Sequence, residues 1–281
     1  MKKYLLLGTS LFVASSAYAE FDCTKIPTCA DLGFTMSATD CAGKNMLKCP
    51  FETDKVFCGG EIECKIGSIL YDDLKCYAID NVPSGKVIPI AVVFDTENRL
   101  AIGLKDAGPM YWMKPGLCGL WGTECNIEGI AEFELDASFT EYYNGKWYGS
   151  LPIGTILNAT DNGKNNTKAV IDLGGDYALS DYAPGYCYYS TEGGQKEGSW
   201  FLPTAKESMK IVENGVKINE ILTNVGDAFS NNFYYTSSET NEPGGLRLMG
   251  YGFDTLPYIS SYVLKYTSDA PDKYVRCAIQ Y

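Results

Sequence analysis

Apolar and polar positions alternate in two different rhythms along this chain. Val87-Ile88-Pro89-Ile90-Ala91-Val92-Val93-Phe94 is a nearly continuous apolar run rich in β-branched residues. It is followed by the polar stretch Asp95-Thr96-Glu97-Asn98 and then by Leu100-Ala101-Ile102-Gly103-Leu104. This pattern predicts a buried hairpin, and strands so apolar belong at the centre of a sheet. The second rhythm begins in Ser199-Trp200-Phe201-Leu202-Pro203-Thr204-Ala205-Lys206-Glu207. Trp200 to Leu202 reads as a short strand, Pro203 breaks it, and Thr204 with Glu207 three residues later forms a capping box. A helix is expected from Ala205 to near Asn214, with Met209, Ile211 and Val212 on its apolar face and Gly215 as its stop. A second helix is expected over 216–224, carrying Ile218, Ile221 and Leu222 and ending at Gly226. Residues 167–173 also read as helical, capped by Asn165 or Asn166. The stretch 106–148, rich in Gly and aromatics, reads as long loops packed through Trp112, Trp121 and Trp147. Strands and short helices together predict an α+β fold with an antiparallel sheet and two to three short helices.

The first nineteen residues follow a different grammar. Lys2 and Lys3 precede an apolar stretch, and Ala17-Tyr18-Ala19 stands before Glu20, the pattern of a cleaved secretory signal. Residues 1–19 are therefore read as a signal peptide cleaved near Ala19, leaving a secreted or cell-surface chain. No run is long enough to span a bilayer. The net charge of −12 at neutral pH, with no basic run, disfavours phosphate backbones and anionic lipid surfaces, so no nucleic-acid or membrane partner is expected.

Eleven cysteines in an exported chain read as a disulfide framework. Seven fall early, at Cys23, Cys29, Cys41, Cys49, Cys58, Cys64 and Cys76, so one of them pairs outside the group or remains a thiol. Cys76 is the residue chosen as the odd thiol. Residues 20–64 lack long apolar runs and read as a Cys-rich N-terminal module that needs crosslinks to fold. Cys118 and Cys125 are expected to pin the loop between them. No Cys-x-x-Cys pair and no histidine occur, so thioredoxin-like redox chemistry and the usual zinc sites lack their ligands.

The segments Gly185-Tyr186-Cys187-Tyr188-Tyr189-Ser190-Thr191-Glu192-Gly193, Trp200-Phe201-Leu202-Pro203-Thr204-Ala205-Lys206-Glu207, Tyr234-Tyr235-Thr236-Ser237-Ser238-Glu239 and Tyr274-Val275-Arg276-Cys277-Ala278 occur in that order. Together with Gly67-Ser68-Ile69-Leu70-Tyr71 and the 89–107 hairpin, they resemble the bacterial DUF1566 family, also called the Fibrobacter succinogenes major paralogous domain. One departure is Tyr235-Thr236-Ser237, where that family usually has Trp or a similar residue followed by Ser-Ser. The resemblance covers 65–281 and implies a C-type-lectin-like domain that is secreted or displayed at the cell surface. It also implies a bridge between Cys187 and Cys277, since both motifs carry Cys in many members.

No enzyme is expected. Without histidine the common Ser and Cys nucleophiles lack a base, and carboxylate catalysis would have to be drawn from Glu192, Glu197, Glu239 and Glu242. Binding has better residues. Tyr235, Asn241, Glu242, Tyr251, Phe253, Asp254 and Tyr258 form a Tyr-rich C-terminal region, and tyrosine offers stacking area and a hydroxyl at little entropic cost. The packing alternative, in which these tyrosines fill a sheet face, carries equal weight. No cofactor is called for. Calcium is considered at Glu239, Asn241, Glu242 and Asp254, because Glu242-Pro243-Gly244 resembles the Glu-Pro-Asn motif of true C-type lectins. The expectation is an adhesin- or lectin-like protein that binds an extracellular glycan or a host or surface protein. The alternative is a self-assembling fimbrial or matrix subunit.

Overall fold

The computed structural model describes residues 61–77, 82, 87–114, 117, 126–130, 159–160, 162–230, 232–239, 271 and 273–281 with their side chains, and elsewhere only the backbone of short strands. In chain order the strands are β1 (Thr35–Met36), β2 (Met46–Lys48), β3 (Val56–Cys58), β4 (Glu61–Ile62), β5 (Ile69–Tyr71), β6 (Cys76–Tyr77), β7 (Pro89–Asp95), β8 (Leu100–Gly103), β9 (Pro109–Met110), β10 (Glu132–Phe133), β11 (Thr140–Tyr143) and β12 (Lys146–Gly149). Helices α1 (Gly163–Asp172) and α2 (Ala183–Tyr189) follow, then β13 (Trp200–Phe201), α3 (Ala205–Glu213) and α4 (Gly215–Val225). The chain closes with β14 (Phe233–Thr240), β15 (Arg247–Gly252), β16 (Tyr258–Leu264), β17 (Lys273–Tyr274) and β18 (Ala278–Gln280).

The predicted hairpin is β7–β8, and it occupies the middle of a seven-stranded antiparallel sheet of order β13-β18-β8-β7-β5-β6-β4. Its apolar run is continuous because both faces of the sheet are covered. Val92, Phe94, Leu100 and Ile102 pack with Met209, Ile211 and Val212 of α3 and with Ile218 and Leu222 of α4. Ala91, Val93 and Ala101 belong to the opposite cluster, with Trp112, Val170 of α1, Cys187 of α2 and Trp200. A second, mixed sheet runs β16-β15-β14-β17-β9, with β10 alongside β14. The C-terminal segment stitches the two sheets together. Ala107 N–H donates to the Val275 carbonyl at 3.0 Å, Val275 N–H to the Gly108 carbonyl at 3.3 Å, and Gly103 N–H to the Cys277 carbonyl at 2.8 Å.

The segment around Pro203 is tied down as its sequence pattern implies, and more widely. Glu207 N–H donates to Thr204 Oγ1 at 3.1 Å and Thr204 N–H to Glu207 Oε2 at 2.8 Å, completing the capping box of α3. The same carboxylate accepts the first amide of α1, Gly163 N–H, at 3.1 and 3.2 Å. Leu202 N–H donates to Thr167 Oγ1 at 2.9 Å and Ala205 N–H to Ser238 Oγ at 2.9 Å. Helix α1 approaches this knot so closely that a Cβ at Gly163 would lie 2.4 Å from the Leu202 carbonyl oxygen. Helix α1 therefore begins earlier than its sequence pattern suggested. Asn162 is the cap, its side-chain oxygen accepting Asn165 N–H at 2.8 Å, while Asn166 lies inside the helix and donates to the Ser237 carbonyl at 3.2 Å.

The Cys187–Cys277 bridge forms, with Cα atoms 5.4 Å apart, and links α2 to the C-terminal segment. Cys76 is not a thiol. Pairing of Ile62 with Cys76 in the β4–β6 ladder sets Cys64 beside it, and the two form a disulfide with Cα atoms 5.3 Å apart. Strand β4 lies on the N-terminal side of the expected 64/65 boundary, so the seven-stranded sheet begins before it. Cys118 and Cys125, and the other early cysteines apart from the backbone of Cys58, lie outside the described residues.

Candidate functional site

At the start of β7 the chain leaves an open groove of about 820 Å³ between the 104–105 bend, the turn after α2 and the end of α4. Ile88 (55% exposed) and Tyr186 (38% exposed) give it apolar surface, an exposed pairing of a large aliphatic and a large aromatic side chain. Lys105, Glu192, Asn224 and Asp227 supply its polar rim, and Lys105 Nζ lies 3.4 Å from Glu192 Oε1.

Each wall is fixed from below. Tyr186 sits on α2 next to Cys187, so the disulfide to Cys277 anchors the helix that carries it. The turn after α2 is held by Gln195 Nε2 donating to the Asp72 carbonyl at 2.6 Å and Trp200 Nε1–H donating to the Glu192 carbonyl at 3.2 Å. Gly193 adopts φ 66° within this turn, and a Cβ there would lie 2.4 Å from Ile90 Cγ2. Ile88 is set by reciprocal bonds with Asp72: Ile88 N–H reaches Asp72 Oδ1 at 3.1 Å, and Asp72 N–H reaches the Ile88 carbonyl at 2.9 Å. The end of α4 is joined to the bend by Asp227 N–H donating to the Leu104 carbonyl at 2.8 Å.

Beneath the groove lies a buried ionic cluster. Arg276 has no exposed side-chain surface and pairs with Asp106 Oδ2 at 3.2 Å. The Tyr234 hydroxyl donates to the same oxygen at 2.6 Å and accepts Ser230 N–H at 2.7 Å. The guanidinium stacks over Phe229, 4.6 Å from the ring centroid, and donates to the Ala228 carbonyl at 3.3 Å. Asp106 N–H donates to Asp227 Oδ2 at 3.1 Å, which connects this cluster to the rim. Burial pushes the Asp106 carboxyl above its ordinary range, with Arg276 and the Tyr234 hydroxyl partly holding it down. Burial, then the charge of Asp106, pushes the Tyr234 phenol up as well. The Tyr186 phenol is raised by burial and by Glu192, with Lys105 opposing, so it remains a neutral hydrogen-bonding hydroxyl at physiological pH.

No family model matches this chain, and neither a curated protein nor a solved structure does. The arrangement of the residues themselves has to carry the reading. Of the Tyr-rich C-terminal residues, Tyr235 is 1% exposed and packs in the core cluster of Trp112 and Cys187, so its ring serves packing. Tyr251 and Tyr258 lie on β15 and β16, where only the backbone is described; Tyr251 pairs with Tyr234 on one side and Ile259 on the other. Asn241, Glu242, Phe253 and Asp254 lie outside the described residues. Glu239 is fully buried and accepts Ile127 N–H at 2.9 Å. Trp112 is a packing anchor as expected, its indole N–H donating to the Thr236 carbonyl at 3.0 Å, while Trp121 and the side chain of Trp147 are not described. Among the described residues no three His, Cys, Asp or Glu side chains converge as a metal site.

Sequence reasoning missed the groove residues Ile88, Lys105, Tyr186 and Asp227. Tyr186 stands within the Gly185-to-Gly193 motif, and Ile88 stands just before Pro89, where the strand begins. Those two were the available signals.

Proposed function

We propose that this chain is an extracellular ligand-binding protein of lectin- or adhesin-like type, built on a C-type-lectin-like domain, that holds a saccharide in the groove at the start of β7. The observation that carries the reading is the exposed Tyr186 ring on a disulfide-anchored helix beside the Lys105–Glu192 pair. A sugar presents an apolar C–H face that stacks on an aromatic ring and hydroxyls that suit carboxylates, amides and ammonium groups. The secretory-signal pattern expected over 1–19 and the two disulfides fit a place outside the cell. In this reading Tyr251, Phe253, Tyr258, Asn241, Glu242 and Asp254 of the Tyr-rich C-terminal region remain second candidates for contacting a glycan or a surface protein. Self-assembly as a fimbrial or matrix subunit is the competing role.

A glycan array probed with the chain and with Tyr186→Ala, Tyr251→Ala and Glu242→Ala variants, each with calcium and with chelator, tests this. Binding that is lost in Tyr186→Ala supports the groove. Loss confined to Tyr251→Ala moves the site to the C-terminal region, and loss with chelator and with Glu242→Ala brings in calcium. No glycan binding, with a rise in oligomer size on gel filtration, would favour the structural subunit.

A further inference from the structure

A second groove, of about 700 Å³, lies at the opposite end of β7, and its walls carry Lys164, Lys206 and Lys210. That concentration is unusual in a chain with 35 acidic and 23 basic residues. Four lysines elsewhere lie close to carboxylates: Lys75 with Glu61 at 2.6 Å, Lys105 with Glu192 at 3.4 Å, Lys114 with Asp176 at 2.7 Å and Lys168 with Asp172 at 2.5 Å. The groove lysines are less closely matched. Lys210 has Glu97 at 3.9 Å, on a side chain that is 82% exposed, and Lys206 donates to the Ala159 carbonyl at 2.7 Å. Lys164 has no salt bridge among the described residues.

Two carboxylates line the same groove, yet both are engaged with amides rather than with the lysines. Asp95 accepts Glu97 N–H at 2.9 Å, Asn98 N–H at 3.2 Å and Asn98 Nδ2–H at 2.8 Å. Glu207 is held by Thr204 and Gly163 in the capping knot. Lys164 and Lys206 also stand in the first turns of α1 and α3, where the helix dipole adds to positive charge and disfavours a cation. The folded chain thus places two ammonium groups where the helix dipole opposes them and a third, Lys210, in the last turn of α3, around a cleft large enough for a small molecule.

We propose that this groove binds an oxyanion of the sulfate or phosphate class, free or as an ester on a larger molecule, with Lys164, Lys206 and Lys210 supplying the charge. The proposal is independent of the saccharide reading of the first groove. The test is an amide-resolved NMR titration of the full chain with sulfate, with phosphate, and with a monosaccharide sulfate ester against its unsulfated parent, at constant ionic strength held by chloride. Saturable shifts at Lys164, Asn165 and Lys206 that chloride does not produce are expected. A Lys164→Gln/Lys210→Gln variant should bind roughly fivefold more weakly or worse, and Lys168→Gln, on the same helix but paired with Asp172, should bind as the parent does. Binding of the ester but not its parent would assign the anion to a substituted sugar, and binding of the inorganic ions alone would assign a free anion; both support the site. Shifts that do not saturate, that chloride reproduces, or that survive in the double variant would overturn it.

Discussion

The two ends of β7 solve the same problem in opposite ways. At its start, Lys105 is matched by Glu192, the buried Arg276 by Asp106, and what remains open is Ile88 and Tyr186. At its end, the carboxylates of Asp95 and Glu207 accept amide N–H groups, and Lys164, Lys206 and Lys210 line a groove in which the one ion pair of these lysines among the described residues is Lys210 with Glu97 at 3.9 Å. A chain of one net sign can therefore present two surfaces of different chemistry, because charge is distributed by which amides the local turns leave to be capped and not by composition. The first groove is anchored by a disulfide and the second by a capping box, and that difference makes the comparison testable.

The largest effect is expected from Cys187→Ala/Cys277→Ala. The bridge closes a separation of 90 residues, for which the chain-entropy account gives about 4 to 5 kcal/mol as an upper figure. Denaturant unfolding should show most of that loss, and native-state hydrogen exchange should show α2 opening first while the start of α1 stays protected. Equal loosening at both grooves would erase the contrast between them.

Glu207→Ala is the converse experiment. It removes half of the capping box and leaves the buried Thr204 and Gly163 amides without their acceptor, a cost of about 2 to 3 kcal/mol. Exchange should quicken at the first turns of α1 and α3, and ligand binding at the Tyr186 groove should hold. Wild-type stability would show that the knot around Pro203 does not depend on this carboxylate.

A smaller effect, with a defined sign, is expected under the first groove. Because Asp106 has a raised native pKa, its stabilising contribution is fully present below the unfolded carboxylate value and is lost as pH rises through the native one. Asp106→Asn abolishes that titration, so its cost in denaturant unfolding should be larger at about pH 4 than at about pH 7. A cost that does not change with pH would mean that Asp106 titrates as an ordinary carboxyl.

What could be read from the chain was local. The β7–β8 hairpin, its central position, the Thr204–Glu207 box and the apolar faces of α3 and α4 each follow from residues within one turn or one strand of each other. The Cys187–Cys277 pair rested on a resemblance of motifs, and it forms. Cys76 was misjudged because its partner is set by the register of β4 on β6, a pairing of two-residue strands too short to show any period. The true cap of α1, Asn162, was hidden because Asn162, Asn165 and Asn166 are equally good caps as types, and only the anchoring of Gly163 to Glu207 selects among them. Tyr235 follows Tyr234 directly on β14, and the sequence does not show that both faces of that strand are covered, Tyr234 entering one core cluster and Tyr235 the other. The Arg276–Asp106–Tyr234 cluster joins residues separated by more than a hundred positions, beyond the reach of any spacing rule.

The central claim is that the Tyr186 groove holds the ligand. Equilibrium titration of the saccharide that the chain binds best on the array, against wild type, Tyr186→Ala and Tyr251→Ala, tests it most directly. The account predicts that Tyr186→Ala weakens binding by about tenfold or more with a folded, cooperatively unfolding chain, since a stacking aromatic anchor contributes on the order of 1 to 2 kcal/mol and 38% of this residue is exposed. It also predicts that Tyr251→Ala binds that saccharide as wild type does. Undiminished affinity in Tyr186→Ala would contradict it.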